Sequence, residues 1–247
     1  PAKQNIYRDS RLPIVFTTQS MQDYVQKSIL NQARSISVIS NGVNLEIFQP
    51  EESSSARAAL NLPQDRKIVL FAAANLDNLR KGYRYAFEAV KRLQDDDPDP
   101  PLLVTMGHPG KASEEHSPES VKHLGFIRDP WIQARIFAAS DVFLCSTLAD
   151  AQPQTALESI ACGTPVIAFP VGPMPEIVFP GKTGFLTEEI SVRALAAVLR
   201  RAFRNPQKLQ EMQESCRLQA EKDYDLDLQT NQYIDLYEQI LREEDIS

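Results

Sequence analysis

The chain has 247 residues, of which 43% are hydrophobic and 24% charged, a composition typical of a folded globular protein. Its formal net charge is −7 and its pI is near 5.1. A protein that coats nucleic-acid phosphates usually presents a basic surface, so we expect no nucleic-acid partner. Any anion-binding site must therefore come from a few local cations.

Cysteines, histidines and apolar runs point away from disulfides, metals and membrane spans. The three cysteines lack metal-type spacing, and two of them lie in apolar strand or helix segments where thiols pack as small hydrophobic groups. Free thiols of this kind favour a reducing compartment. His108, His116 and His123 have neither metal-ligand spacing nor a nucleophile partner, so we expect no metal site. Without a signal peptide's apolar core or a run of about 18 apolar residues, a cytoplasmic protein is expected, and peripheral membrane contact is left open. The start at Pro1 suggests a fragment.

In chain order, the pattern predicts a strand over 12–17, a helix over 19–28 and a strand over 35–39. The turn-rich sequence SNGVNLEIFQP follows. Strand-like and helix-like segments then alternate, with strands over 68–73, 102–106, 121–124, 142–145, 164–168 and 184–186, and helices over 83–94 and 131–139. Two amphipathic segments separated by Pro206 and a last helix ending near Arg242 complete the chain. Such alternation predicts an α/β fold, a Rossmann-like parallel sheet flanked by helices.

The polar segment LADAQPQT separates the strand ending at Cys145 from a helix that begins at about Pro153. It should lie at the carboxyl edge of the sheet, where open α/β sheets bind ligands. In the first helical turn, the amides of Gln154 and Thr155 have no intrahelical acceptor and can bind phosphate. Glu158 leans back toward that helix start and suits a neutral ribose hydroxyl, as Asp150 suits a sugar. The alternative for Glu158 is a solvated helix residue.

These two acids, eight positions apart around a helix start, resemble the donor-site signature of retaining glycosyltransferases of the family 4 (group 1) type, which have the GT-B fold. The resemblance implies that Glu158 binds the donor ribose. It also implies that Asp150, one methylene shorter than the family's glutamate, contacts the transferred sugar. The family's glycine-rich turn is replaced by AQPQ, as in bacterial exopolysaccharide-type transferases, which places Gln152, Gln154 and Thr155 at the donor.

Two basic residues precede the helix predicted over 83–94. A cation near a leaving nucleoside diphosphate lowers the barrier by stabilising the charge that develops there. In the family an arginine, with a lysine six residues later, clamps the donor phosphates, and the lysine matches Lys81. The arginine position is Asn75, and the resemblance implies that Asn75 and Arg80 join Lys81 at the donor, with Arg80 replacing the arginine. It implies that the catalytic residues are Lys81, Asp150 and Glu158. The alternative is a solvated basic pair on a surface loop.

Gly125 and Phe126 fall where the family packs the nucleobase against a glycine-containing turn, although Phe126 can equally belong to the core. The GKT at 181–183 does not fit a phosphate loop, because Glu176 stands where the motif needs a glycine. We expect Glu176 to be structural.

The resemblance also implies how the chain is divided. Residues 1–40 would be a remnant of an N-terminal acceptor-side domain, 41–52 a linker and 53–222 the nucleotide-sugar-binding domain. Residues 223–247 would form a C-terminal helix that packs back toward the N-terminal side. Most of the acceptor-side domain is then missing, so we expect donor binding without efficient transfer.

The implied activity is transfer of a sugar from a UDP- or GDP-linked donor, with retention of configuration, to a glycan, lipid-linked or small-molecule acceptor. No metal or other cofactor is expected. Two alternatives stay open. One is an epimerase or phosphorylase of the same fold, and the other is a noncatalytic nucleotide-binding domain whose donor site was weakened by Asp150 and Asn75.

Overall fold

The computed structural model describes residues 6, 13–28, 30, 35–96, 99–110 and 120–245. Near the amino terminus, strands β1 (Pro13–Phe16) and β2 (Ser35–Val38) pair in parallel, and helix α1 (Gln19–Gln26) lies between them in the chain. This strand–helix–strand arrangement is the one that the sequence predicts. Position 12 of the predicted first strand and His116 lie outside the described residues.

A six-stranded parallel sheet forms the centre of the molecule. Its strands, in chain order, are β3 (Ile68–Asn75), β4 (Leu102–His108), β5 (Val121–His123), β6 (Val142–Cys145), β7 (Val166–Ala168) and β8 (Gly184–Leu186). Their spatial order is β5-β4-β3-β6-β7-β8. The chain moves outward from β3 to β5 and then returns to place β6 beside β3. The order reverses between these two strands, which is where open α/β sheets form a ligand crevice.

Helices cover both faces of this sheet, as a parallel sheet requires. They are α2 (Ser53–Ala59), α3 (Tyr83–Asp96), α4 (Pro130–Ala138), α5 (Gln154–Ala161), α6 (Met174–Ile177), α7 (Val192–Phe203), α8 (Pro206–Asp223) and α9 (Leu226–Asp245), with a 3₁₀ turn at Leu79–Lys81. Alternate side chains of β3 enter two apolar cores, Ile68 and Leu70 on one face and Val69 and Phe71 on the other. The predicted α/β fold is therefore confirmed.

Two short helices, α2 and α6, were not predicted from the sequence. Helix α2 starts with three serines and is capped by the Glu52 carboxylate, which accepts from the N–H of Ser55. Such a short segment gives no clear apolar period. Strand β7 starts later than predicted because Thr164 is used elsewhere. Its N–H donates to the Ser159 carbonyl and its hydroxyl to the Phe137 carbonyl.

The crossover segment, residues 40–44, joins the two-stranded sheet to the six-stranded domain and contacts the start of α9 and the residues just before it. The N–H of Val43 donates to the Tyr224 carbonyl, and the N–H of Leu226 donates to the Val43 carbonyl. The N–H of Gly42 donates to Oε1 of Gln229 on α9. The start of α9 therefore packs on the crossover segment. None of the helices in the described part of the chain is both long enough and apolar enough to cross a membrane.

Candidate functional site

Two loops, one after β3 and one after β6, meet where the strand order reverses. The 3₁₀ turn of the first loop is capped by the Asn78 side chain, which accepts from the N–H of Arg80. The Arg80 carbonyl accepts from the N–H of Leu148 at 2.7 Å and from the Thr147 hydroxyl at 3.1 Å. Hydrogen bonds to the Arg80 carbonyl therefore fix the loop that carries Arg80 against the loop that carries Asp150.

Gly82 allows these two loops to approach closely. Its φ is +73°, and a Cβ at this position would lie 2.0 Å from the Ser146 carbonyl oxygen. The Ser146 hydroxyl also donates to the Gly82 carbonyl at 2.9 Å. Any side chain would both strain the backbone and separate the loops. The glycine after Lys81 is therefore a geometric requirement of this edge.

Lys81 and Asp150, predicted from separate motifs, form an ion pair across the crevice. The distance from Lys81 Nζ to Asp150 Oδ2 is 2.6 Å. Their side chains are 27% and 16% exposed, so both are shielded from solvent yet open to the crevice. A charge-assisted hydrogen bond of this length is strong and orients both groups. The structure therefore brings the predicted cation and the predicted sugar-contacting acid together.

Helix α5 begins at the same edge. Pro153 is its N-cap rather than part of the first turn, and no side chain caps the helix. The amides of Gln154 and Thr155 belong to the first turn, where N–H groups lack intrahelical acceptors and attract anions. Glu158 follows on the next turn and is half-buried. Burial raises the pKa of Glu158 to about 7, so near neutral pH it exists in both protonation states.

The Gln152 and Gln154 side chains point to the crossover segment. Gln152 is only 7% exposed. Its Oε1 accepts from the N–H of Asn41 and its Nε2 donates to the Ser40 hydroxyl, both at 2.8 Å. Nε2 of Gln154 donates to the Gly42 carbonyl at 3.0 Å. The Gln152 carboxamide therefore ties the loop that carries Asp150 to the crossover segment, and the Gln154 carboxamide ties the start of α5 to it.

The ends of β3, β4 and β5 form a second part of the edge. Phe126 is 43% exposed, which excludes the alternative that it belongs to the core. Its ring stacks on His108, with centroids 4.2 Å apart and planes within 7°. A Cβ on Gly125 would meet nothing within 4 Å, so space is open above this turn. Asn75 pairs with His108 across β3 and β4 and accepts from the N–H of Asp77.

His108 and Glu176 have contacts that the sequence does not reveal. His108 belongs to no motif, and the feature that could have pointed to the site is its position near the carboxyl end of a predicted strand. The Glu176 carboxylate accepts from the N–H groups of Gln19 and Ser20 at the start of α1, each at 2.8 Å. Glu176 thus joins the two-stranded sheet to the six-stranded one. Among the described residues, no three His, Cys, Asp or Glu side chains gather closely enough to hold a metal ion.

A six-stranded parallel sheet between helices, with its loops gathered at the reversal of strand order, defines a Rossmann-like domain of the GT-B type. Residues 52–222 match the family model described as glycosyl transferases group 1. The chain therefore belongs to the group 1 family of glycosyl transferases, as the acid motif suggested.

Curated relatives agree with this family. The D-inositol 3-phosphate glycosyltransferase of Streptomyces scabiei is 33% identical over 179 residues, which cover 66% of this chain and 40% of that protein. The protein of the same name from Corynebacterium diphtheriae is 29% identical over 200 residues, covering 75% of this chain and 46% of that protein. The chain thus spans about half the length of the curated relatives that it matches.

Solved structures agree with the fold. Sucrose-phosphate synthase from Thermosynechococcus elongatus superposes with a TM-score of 0.83 at 25% identity, covering 97% of this chain and 61% of that one. HepE from Anabaena, solved in complex with UDP-glucose, gives a TM-score of 0.76 at 20% identity. That match covers 96% of this chain and 66% of the HepE chain, and it concerns the fold alone.

Proposed function

We propose that this chain supplies the donor side of a glycosyltransferase that moves a sugar from a nucleotide-sugar to an acceptor with retention of configuration. The Lys81–Asp150 ion pair at 2.6 Å carries the proposal, since it joins a cation and a carboxylate beside an uncapped helix start. A nucleoside diphosphate needs the first charge, and sugar hydroxyls need the second. HepE, which shares the fold, was solved with UDP and with UDP-glucose, so UDP is the first candidate and GDP the second.

In this proposal the diphosphate lies between the loop after β3 and the start of α5. Lys81 and the exposed Arg80 neutralise its charge, and the amides of Gln154 and Thr155 donate to its oxygens. Charge accumulates on the diphosphate as its bond to the sugar breaks. A cation already held in place, as Lys81 is by Asp150, needs little reorganisation and lowers the barrier.

The remaining groups would recognise the neutral parts of the donor. Asp150 can accept hydrogen bonds from hydroxyls of the transferred sugar, and Glu158 from the ribose hydroxyls. The open space above Gly125, beside the exposed ring of Phe126 stacked on His108, suits the flat face of a nucleobase. Asn75 lies at this end of the site and caps its own loop.

In the proposed reaction the acceptor attacks the same face of the sugar from which the diphosphate leaves, and the configuration is therefore retained. The acceptor oxygen forms the new bond to the anomeric carbon as the bond from that carbon to the diphosphate oxygen breaks. The acceptor's proton passes to the leaving diphosphate oxygen. This scheme uses no protein nucleophile, metal or cofactor. The acceptor, a glycan, a lipid-linked molecule or a small molecule, would lie toward the N-terminal side, and the reaction would take place in the cytoplasm.

Calorimetric titration with UDP, GDP and ADP in metal-free buffer tests the proposal. We expect one nucleotide to bind and both Lys81→Ala and Glu158→Ala to weaken it. Lys67→Ala is the matched control. Lys67 also pairs with an aspartate, Asp141, but this pair lies at the amino end of β6, away from the edge that carries Lys81 and Asp150. Absence of binding to all three nucleotides would favour the noncatalytic alternative.

Turnover experiments separate the remaining alternatives. Incubation with the matching nucleotide-sugar and no acceptor should leave the sugar unchanged, whereas an epimerase would isomerise it. A phosphorylase would show the absorbance of lysine-bound pyridoxal. We expect slow transfer by this chain and faster transfer by a chain that also carries an acceptor-side domain. Equal rates would contradict the assignment of the acceptor site to that domain.

A further inference from the structure

Asp150 lies on a short loop that is anchored on both sides. On its amino side, the N–H of Leu148 donates to the Arg80 carbonyl at 2.7 Å. On its carboxyl side, the Gln152 side chain bonds to the crossover segment. The first anchor belongs to the loop that also carries Lys81. The second leads away from the crevice, to the joint between the two sheets.

The carboxamide of Gln152 makes hydrogen bonds through both its oxygen and its nitrogen, and the residue is shielded from solvent. Its oxygen accepts from the N–H of Asn41 and its nitrogen donates to the Ser40 hydroxyl. The crossover segment is itself fixed, because Val43 makes backbone hydrogen bonds to Tyr224 and Leu226. A buried amide that loses both partners is strongly disfavoured, so Gln152 and the crossover segment stay together. Because both polar atoms of its carboxamide bond to the crossover segment and the residue is only 7% exposed, Gln152 is placed to hold this loop rather than to contact a ligand in the crevice.

We propose that Gln152 is a positioning residue. It ties the loop that carries Asp150 to the crossover segment and so holds the Asp150 carboxylate against Lys81, at the place of the transferred sugar. This inference rests on the proposed function for the identity of the ligand. It assigns Gln152 an indirect role, through Asp150, in place of a direct contact with the donor. Binding of the sugar moiety then depends on the two hydrogen bonds between the Gln152 carboxamide and the crossover segment.

Calorimetry with two probes, UDP and UDP-glucose, distinguishes this role from a merely structural one. The ratio of the two dissociation constants reports the contribution of the sugar moiety. In Gln152→Ala we expect this sugar contribution to fall by about tenfold, while the dissociation constant of UDP changes less than twofold. A general loss of folding would instead weaken both probes together.

Gln229→Ala is the matched control. It removes a hydrogen bond to the same crossover segment, at Gly42, from a helix that does not carry the acid motif. We expect both dissociation constants to stay at their wild-type values in this variant. Three results would overturn the inference: an unchanged ratio in Gln152→Ala, an equal loss for both probes, or the same change in the ratio in Gln229→Ala.

A wild-type protein that binds neither probe would exclude UDP as the donor nucleotide, and would contradict the proposed function if GDP and ADP also failed to bind. One that binds UDP-glucose no better than UDP would leave the ratio uninformative. In either case a ligand-free double-mutant cycle decides. Each variant changes the unfolding equilibrium constant by some factor relative to the wild type. If Gln152 acts through Asp150, the factor for the double variant, Gln152→Ala with Asp150→Asn, should differ at least fivefold from the product of the two single-variant factors. Gln229→Ala combined with Asp150→Asn should be multiplicative. A multiplicative result for Gln152→Ala would overturn the inference.

Discussion

The crevice edge and the joint between the two sheets are stabilised in different ways. At the edge, the backbones of the loops after β3 and β6 are in close contact, with Gly82 pressed against the Ser146 carbonyl. At the joint, side-chain hydrogen bonds add to the backbone hydrogen bonds of Val43: Gln152 and Gln229 bind the crossover segment, and Glu176 binds the start of α1. A close backbone contact has no room for an additional carbon atom. Side-chain hydrogen bonds can be lost one at a time, so the edge should respond abruptly to substitution and the joint gradually.

The largest effect is expected at Gly82. Gly82→Ala should lower the free energy of unfolding by about 3 kcal/mol or more, because alanine both strains a left-handed backbone and collides with the Ser146 carbonyl. The loops would separate, so Lys81 would move away from Asp150 and nucleotide binding would be lost as well. Urea unfolding and calorimetry with UDP measure the two effects.

Gly181→Ala provides the control for backbone strain alone. Gly181 has a similar φ of +79°, but a Cβ there would meet nothing within 4 Å. The expected cost is about 1 kcal/mol, with UDP binding unchanged. Equal destabilisation by the two substitutions would show that the close approach to Ser146 contributes nothing.

The second prediction concerns the half-buried carboxylate on α5. Burial raises the pKa of Glu158 from an unfolded value of 4.5 to about 7 in the folded protein. Folding therefore favours the protonated form. The stability that this form gives is fully present below pH 4.5 and is lost as the pH rises toward 7, by about 3 kcal/mol in all. Urea unfolding at pH 4.5, 6 and 8 measures this loss.

Glu158→Gln supplies the reference for that pH series, because glutamine has a similar shape and does not titrate. The difference in unfolding free energy between the variant and the wild type should grow as the pH rises from 4.5 to 7 and then stay constant. In the wild type, UDP should bind more tightly above pH 7, where the ionised carboxylate accepts from ribose hydroxyls. A constant difference across the series would contradict the raised pKa.

The sequence predicts most of the fold because parallel strands buried on both faces give continuous apolar runs. The runs at Ile68, Leu102 and Val142 all mark strands of the central sheet. Strand order cannot be obtained in this way, since apolar runs carry no information about neighbours. The helix at Ser53–Ala59 was missed because a serine-rich turn depends on its Glu52 cap more than on periodicity.

The site was predicted in part for a similar reason. Asp150 and Lys81 follow two strands whose carboxyl ends meet, so topology alone brings their loops together. By contrast, the partners of Gln152 lie 111 and 112 positions away in the chain, and those of Glu176 lie 157 and 156 positions away. Such pairings depend on how the crossover segment returns to the sheet. No local pattern records that path.

The third prediction tests a side chain held on the rigid edge. Lys81→Ala should weaken UDP binding by about 30-fold, because a charge-assisted contact is lost and Asp150 is left without its partner beside a diphosphate. Stability should change less, since the backbone contacts of this loop remain. Lys67→Ala, which removes a more exposed cation paired with Asp141, should leave UDP affinity unchanged. Unaltered binding in Lys81→Ala would remove Lys81 from the proposed site.

The smallest effect is expected at the joint. The Glu176 carboxylate accepts from the N–H groups of both Gln19 and Ser20, so a residue from a different part of the chain satisfies the first N–H groups of α1. Replacing Glu176 by alanine should destabilise the start of α1 by about 1 kcal/mol. Because α1 lies outside the six-stranded sheet, the loss should remain local.

Hydrogen exchange measures this local change. In Glu176→Ala the amides of Gln19 and Ser20 should exchange about fivefold faster, the equivalent of about 1 kcal/mol, while amides of β3 keep their wild-type rates. Glu189→Ala is the control, because that carboxylate accepts from the Ser191 hydroxyl at the start of α7 and should leave α1 unaffected. If protection in β3 fell together with that in α1, the joint would unfold with the sheet as one unit, and the contrast between an abrupt edge and a gradual joint would be wrong.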